Sequence, residues 1–500
     1  MKATMKGMLL VWALGAAMTA AAGCDEQGAR VVEVEGEMPE LFVERTQDVM
    51  AFEDPRDCAR CHANHVAEWE MSNHAYAAKD PVFHAMVRVG QAQTEGKLGQ
   101  FCVQCHTPTG MATGQTPVVF DQGLDRFRQV LDTLDPVAQQ GVSCDVCHSV
   151  TDVIEPVNAR MVLTPNGIKR GTIADPVATP AHDSAYSALH GESDLCGSCH
   201  AVTNPRQALI EETFPEWEAS QAARDGKTCQ SCHMPEYLGQ AAPDAPERTL
   251  HRHTFVGVDV SLLPEEEFPG YQEMRDLAAA MLRSSAKMSA EASGRRLDVS
   301  VENLAGHALP SGATAERQMW LEVLVRDADG ELVFESGTLD ARGDLRDGLA
   351  EHSLAPGSDP QLAYWGQLLI QVPGLDAAET DAQRQALIDV AEAACRPMGL
   401  GGVDPESGIL PVELPWQANW QCNYMIRPDQ TDERSFDLGA LAPGTYTASV
   451  RLRFRTFPPH FLRKLEELGG LDPDVKGRVP TVLIAEEEVT LTVQRGPEGP

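Results

Sequence analysis

Ten of the thirteen cysteines in this 500-residue chain fall in five copies of Cys-x-x-Cys-His. They are Cys58, Cys61, His62; Cys102, Cys105, His106; Cys144, Cys147, His148; Cys196, Cys199, His200; and Cys229, Cys232, His233. This is the spacing of c-type heme attachment, in which two thiols add across the heme vinyl groups and the adjoining imidazole becomes the proximal iron ligand. A single copy would also suit half of a zinc site. Five copies, each with His directly after the second Cys, imply five covalently held hemes (heme c, iron).

The far side of each iron decides the chemistry. A second imidazole closes the coordination sphere and makes an electron carrier, whereas an open position admits a small substrate. The chain has 15 histidines, so ten remain outside the motifs. His74 lies in W-x-x-S-x-H on a predicted helix after the first motif, and His190 stands six residues before Cys196. His251 and His253 alternate in HRHTF, so one faces a heme while the other points away, with His253 favoured. His307 lies in GHALPSG, held between Gly and Pro. His84 and His182 compete for the fifth place. His65, His352 and His460 read as exposed or capping residues, and Met71, Met86 and Met234 as packing. Gly-rich phosphate loops, G-x-S-x-G and HExxH are all absent, and no catalytic residue is assigned.

The elements that must position these groups are sparse. The motifs begin 44, 42, 52 and 33 residues apart, too close for each segment to build a side-chain core. Short helices and loops must therefore wrap the macrocycles. Helices are predicted over 65–78 and 215–223, and the two share an internal echo, EWEMSNHA (68–75) and EWEASQAA (216–223). His74 aligns with Ala222 across it. Residues 240–247 read as a loop and 270–292 as a helical connector, with Met274, Leu277, Met281 and Leu282 at helical spacing. Beyond it the period becomes two: Leu297-Val299-Val301, Leu321-Val323-Val325, Tyr446 to Phe454 and Val489-Leu491-Val493 read as half-buried strands, with a hairpin turn at Asp329-Gly330.

The expected architecture is multidomain α+β: a mostly α-helical, loop-rich multiheme domain, then a β-sandwich-like domain. The parts are a signal peptide (1–23), an acidic tether (24–51), the pentaheme region (52–262), the connector (263–293) and a β-sandwich (294–496). An insertion at 341–436 interrupts the sandwich and carries a short helix around 380–394. Cys395 and Cys422 are expected to form a disulfide, the simplest fate for two thiols in an oxidising compartment.

Lys2 and Lys6 followed by the apolar run from Met8 to Ala22 have signal-peptide form, too short for a comfortable membrane span. Ala21-Ala22-Gly23-Cys24 resembles a bacterial lipobox and makes Cys24 the lipidation candidate. Export to the periplasm or cell envelope, with a membrane lipid anchor, is the expected location. The formal charge of −34 argues against nucleic acid and anionic membrane surfaces as partners, and suits a basic redox partner protein.

CARCHANHVAEWEMSNHA, GVSCDVCH, LCGSCH, the EW-x-x-S helix before CQSCHMP, and HRHTFVG resemble the tetraheme cytochrome c of nitrifying bacteria and the wider hydroxylamine-oxidoreductase-related multiheme group. NLAGHALPSGATAERQMWLEV and PGTYTASVRLRFR resemble the β-domain appended to some members. The resemblance covers roughly 50–336 and 440–495. It implies His74, His190, the HRHTF histidine and His307 as distal ligands, and closely stacked heme pairs along which electrons hop. The chain departs from the group's enzymes in having no CxxCK motif and five heme motifs instead of eight. Electron transfer between redox partners is thus the expected activity. The rival is a multiheme oxidoreductase with one five-coordinate heme acting on a small nitrogen or sulfur compound.

Overall fold

The computed structural model describes residues 30–31, 47–349, 352 and 357–494. The signal segment and Cys24 lie outside the described residues. Among the described residues no helix is long and apolar enough to cross a membrane.

The N-terminal half is short helices and two- or three-stranded ribbons. Each motif rides on a helical turn, within Pro55–Glu70, Val103–His106, Cys144–His148, Ser193–Gly197 and Cys229–His233, or at its edge. A helix suits the motif because residues three apart share a face, so both thiols of Cys-x-x-Cys point one way. The first helix starts ten residues before the predicted 65. Asp54 caps it by accepting the Arg56 N–H at 2.9 Å, and Pro55 opens the first turn. The second predicted helix is broken in two, Thr213–Glu218 and Gln221–Arg224, with Ser220 capping the second piece.

The connector is shorter than predicted. Its helix, Tyr271–Ser285, buries Met274, Ala278 and Leu282, and then Ala286–Ser293 becomes a strand. That strand buries Ala286 and Met288 and exposes Lys287 and Ser289, a period of two that the small side chains conceal in sequence. Residues 240 and 247 likewise end paired strands, Glu236–Gln240 and Glu247–His251, and only the stretch between is loop.

Two antiparallel sheets make the sandwich. One is Ala286–Ser293, Arg296–Asn303 and Thr431–Asp437; the other runs Leu332–Ser336, Gln318–Arg326, Gly444–Arg455 and Thr481–Val493, with Tyr364–Trp365 on its side. Leu297, Val299 and Val301 meet Leu321, Val323, Val450 and Leu452 in one apolar core. Thr431–Asp437 belongs to the sandwich, so the insertion ends earlier than the sequence suggested. Its helix, Asp381–Ala394, is capped by Thr380 and leads into a Cys395–Cys422 disulfide with Cα atoms 5.7 Å apart.

The halves share a core. Val82, Ala85 and Val89 of the helix Pro81–Gln93 pack with Phe461, Leu462 and Leu465 of the helix Pro459–Glu467. Gly470 allows this approach, since a Cβ there would sit 2.8 Å from Val89 Cγ2.

Candidate heme chamber

A cavity of about 1880 Å³ runs through the N-terminal half. Pockets for one small ligand measure roughly 300–1,000 Å³, so this space suits several flat macrocycles. Both cysteines and the histidine of each of the first four motifs line it, with Gln230, Ser231 and Met234 from around the fifth.

The donor chemistry fits heme. A neutral imidazole that donates from Nδ1 keeps the Nε2 lone pair for a metal. His62 Nδ1 donates to the Ala241 carbonyl (2.6 Å), His148 to Arg170 (2.5 Å), His233 to Val256 (2.6 Å) and His106 to Ala77 (3.3 Å). Among the other histidines, Nδ1 of His182, His253 and His307 is also turned to backbone carbonyls. Burial holds His74 and His253 at about 3 and His190 at about 4, so these rings stay neutral.

Iron–nitrogen bonds of about 2 Å on both faces put two axial imidazole centroids about 6 Å apart. Four motif histidines have such a neighbour. His62 has His182 at 6.3 Å and, three residues along its own helix, His65 at 6.2 Å; His74 is 6.4 Å from His200, and His307 is 6.3 Å from His233. His148 has two: His190 at 5.7 Å, whose Nε2 meets the Cys147 carbonyl at 3.0 Å, and His253 at 6.5 Å, hydrogen-bonded through Nδ1. Against His106 the ring is instead Phe83, parallel at 4.4 Å. His84 turns its Nε2 to the Ala78 carbonyl, and His251 its Nδ1 to Met234. Neither is paired with a motif ring. His65 is half-buried rather than exposed; it hydrogen-bonds Tyr237 Oη and lies 4.6 Å from His253, inside the chamber.

The attachment thiols meet across motifs. Cys58 lies near Cys144, Cys105 near Cys199, and Cys196 near Cys229. Cys147 lies near both Cys196 and Cys199. The fourth motif therefore adjoins the second, third and fifth.

The internal echo has a structural meaning that its letters conceal. Trp69 Nε1 donates to the Val142 carbonyl and Trp217 Nε1 to Lys227, each acceptor two residues before a motif's first Cys. Gly141 and Gly226, both at positive φ, turn the chain into these segments. At Gly141 the need is strict, for a Cβ would lie 2.2 Å from the His74 carbonyl oxygen. The echoed glutamates hold histidine segments. Glu68 accepts from the His253 N–H (2.8 Å) and Glu216 from the Ala308 N–H (3.1 Å), next to His307. Where the second copy has Ala222, Gly306 of the His307 loop packs against it.

Burial pushes the Glu216 carboxyl up to about 8. Its Oε1 has no hydrogen-bond partner, while Oε2 accepts from Ser311 Oγ at 2.6 Å. A carboxyl raised in the folded state holds its proton there but loses it above about 4.5 when unfolded, so its stabilising contribution is complete below that pH. It is lost as pH rises from 4.5 through 8. In Glu216→Gln the fall in Tm across that window should shrink, and a fall identical to that of the wild type would exclude this assignment.

Residues 57–149 match the protein family described as cytochrome c554 and c-prime. Among solved structures, the penta-heme cytochrome c552 from Thermochromatium tepidum shares the fold, with a TM-score of 0.56 and 19% identity. The match covers 89% of this chain and 100% of that one. No curated protein sequence matches the chain. With the attachment motifs, these likenesses support a multiheme cytochrome c.

Proposed function

We propose that the chain is an exported, lipid-anchored electron carrier holding five c-type hemes, related to the hydroxylamine-oxidoreductase group and serving a basic redox partner. Covalent heme supplies one-electron chemistry, and the protein sets ligands and distances. The observation that carries the reading is the set of opposed imidazoles at His62, His148, His200 and His233. Their distal partners are His182, His190 or His253, His74 and His307. Adjacent thiols make the order of transfer first, third, fourth motif, branching there to the second and fifth.

The unopposed His106 favours a second reading, a small-molecule oxidoreductase at the second heme. Glu316, whose burial pushes it to about 7, lies near Cys102, and Asp259 lies near His106. The buried Glu316 carboxyl would deliver protons to a reduced species there. Electron paramagnetic resonance of the oxidised protein tests both. Four low-spin ferric hemes and one high-spin heme indifferent to nitrite and hydroxylamine are expected of the carrier. A high-spin signal that shifts with either compound and turns it over would favour the enzyme, and fewer than four low-spin hemes would refute the ligand pairs.

A further inference from the structure

Away from the heme thiols, the C-terminal half closes around a second group of ligating side chains. Asp347 and His352 come from one stretch of chain, Glu413 from a second, and His460 from the first turn of the helix Pro459–Glu467. One ligand atom from each of Asp347, His352 and His460 lies within 4.8 Å of the others. His352 Nδ1 is 2.7 Å from Asp347 Oδ2. Glu413 Oε1 is 3.7 Å from His352 Nε2 and 3.8 Å from His460 Nδ1. The two imidazoles stack with centroids 3.5 Å apart.

Neither histidine is the exposed residue that its sequence context suggests. His352 is 7% exposed, and His460 Nδ1 is shut from solvent with no hydrogen-bond partner. A purely structural hydrogen-bond cluster would satisfy that nitrogen, because an unpaired buried polar atom is costly. The four side chains also border a cavity of about 30 Å³, room for a single ion or water. Lys464 pairs with Glu413 at 3.1 Å; Arg463 pairs with Asp344 and donates to the His352 carbonyl at 3.2 Å, and Arg455 lies near His460.

We propose that Asp347, His352, Glu413 and His460 bind one divalent transition-metal ion, with zinc the best match to their donors. Two imidazole nitrogens and two carboxylate oxygens make a four-coordinate set of borderline softness. Zinc bonds of about 2.0–2.2 Å put tetrahedral ligand atoms roughly 3.4 Å apart; one nitrogen of His352 takes the ion, and rotation of Asp347, 2.7 Å from its Nδ1, and of Glu413, 3.7 Å from its Nε2, brings both carboxylates to the same side. The ion ties Asp347 and His352 to the helix Pro459–Glu467, which packs on the heme half. Ala315 and Leu369 border both this cavity and the heme chamber, so the metal sits one side-chain layer from the hemes.

The test uses the purified holoprotein, stripped with a chelator and re-equilibrated with zinc chloride, with zinc and iron counted by elemental analysis. One zinc per chain, a Tm raised by zinc, and a loss of at least tenfold in zinc affinity in H352Q/H460Q at unchanged heme content would support the site. D347N, expected to weaken zinc about tenfold, decides the matter if the double variant loses its hemes. Zinc below a tenth of an equivalent in the wild type, or variants that bind it as the wild type does, would overturn the proposal.

Discussion

Replacing His307 with Ala is expected to turn one low-spin ferric heme high-spin and to raise one reduction potential by on the order of 0.1 V. The reasoning rests on placement. His307 stands 6.3 Å from His233 with the rings within 15° of parallel, and its Nδ1 donates to the Ala308 carbonyl. Asn303 donates to the His307 carbonyl at 2.8 Å, and Glu216 holds the next N–H, so the loop presents a fixed imidazole. Removing a strong-field nitrogen weakens the ferric state more than the ferrous, hence the sign of the shift. Added imidazole should restore the low-spin signal. Unchanged spin states and potentials would show that His307 is not an iron ligand, and the sandwich would then have no part in the redox chain.

A larger structural effect is expected from C196A/C199A. The fourth motif adjoins the second, third and fifth, so its heme would be the shared wall of the chamber. At roughly 24 cal/mol per Å³, a dry void of even about 300 Å³ costs about 7 kcal/mol, a large part of a domain's roughly 5–15 kcal/mol. The variant should be recovered at less than about a tenth of the wild-type yield, judged against that marginal stability. What is recovered should be depleted in more than one heme. A four-heme protein with the wild-type Tm, measured by heme absorbance and calorimetry, would contradict the central position of that heme.

Legibility followed the range of each interaction. The motifs are local, and the strands of the sandwich announced themselves because Val and Leu alternate with polar residues, as in Leu297 to Val301. Ala286–Ser293 hid its alternation behind small side chains. The distal histidines were visible as candidates, but their pairing was not, since His74 meets His200 and His307 meets His233 across long stretches of chain. Nothing near His84 or His251 in sequence reveals that His84 turns its Nε2 to a carbonyl or that neither ring stands beside a motif imidazole. The group at Asp347, His352, Glu413 and His460 has no spacing signature at all; only the fold assembles it. The echoed Glu-Trp pairs were legible as letters, and their partners only as structure.

Covalent heme filling the chamber is the claim on which ligands, stability and transfer order all depend. The intact mass of the denatured, correctly exported protein measures it most directly. Five heme masses carried by the polypeptide, unchanged by acid extraction, are the expected result. A chain bearing fewer than five, or one that releases its pigment into acid, would contradict it.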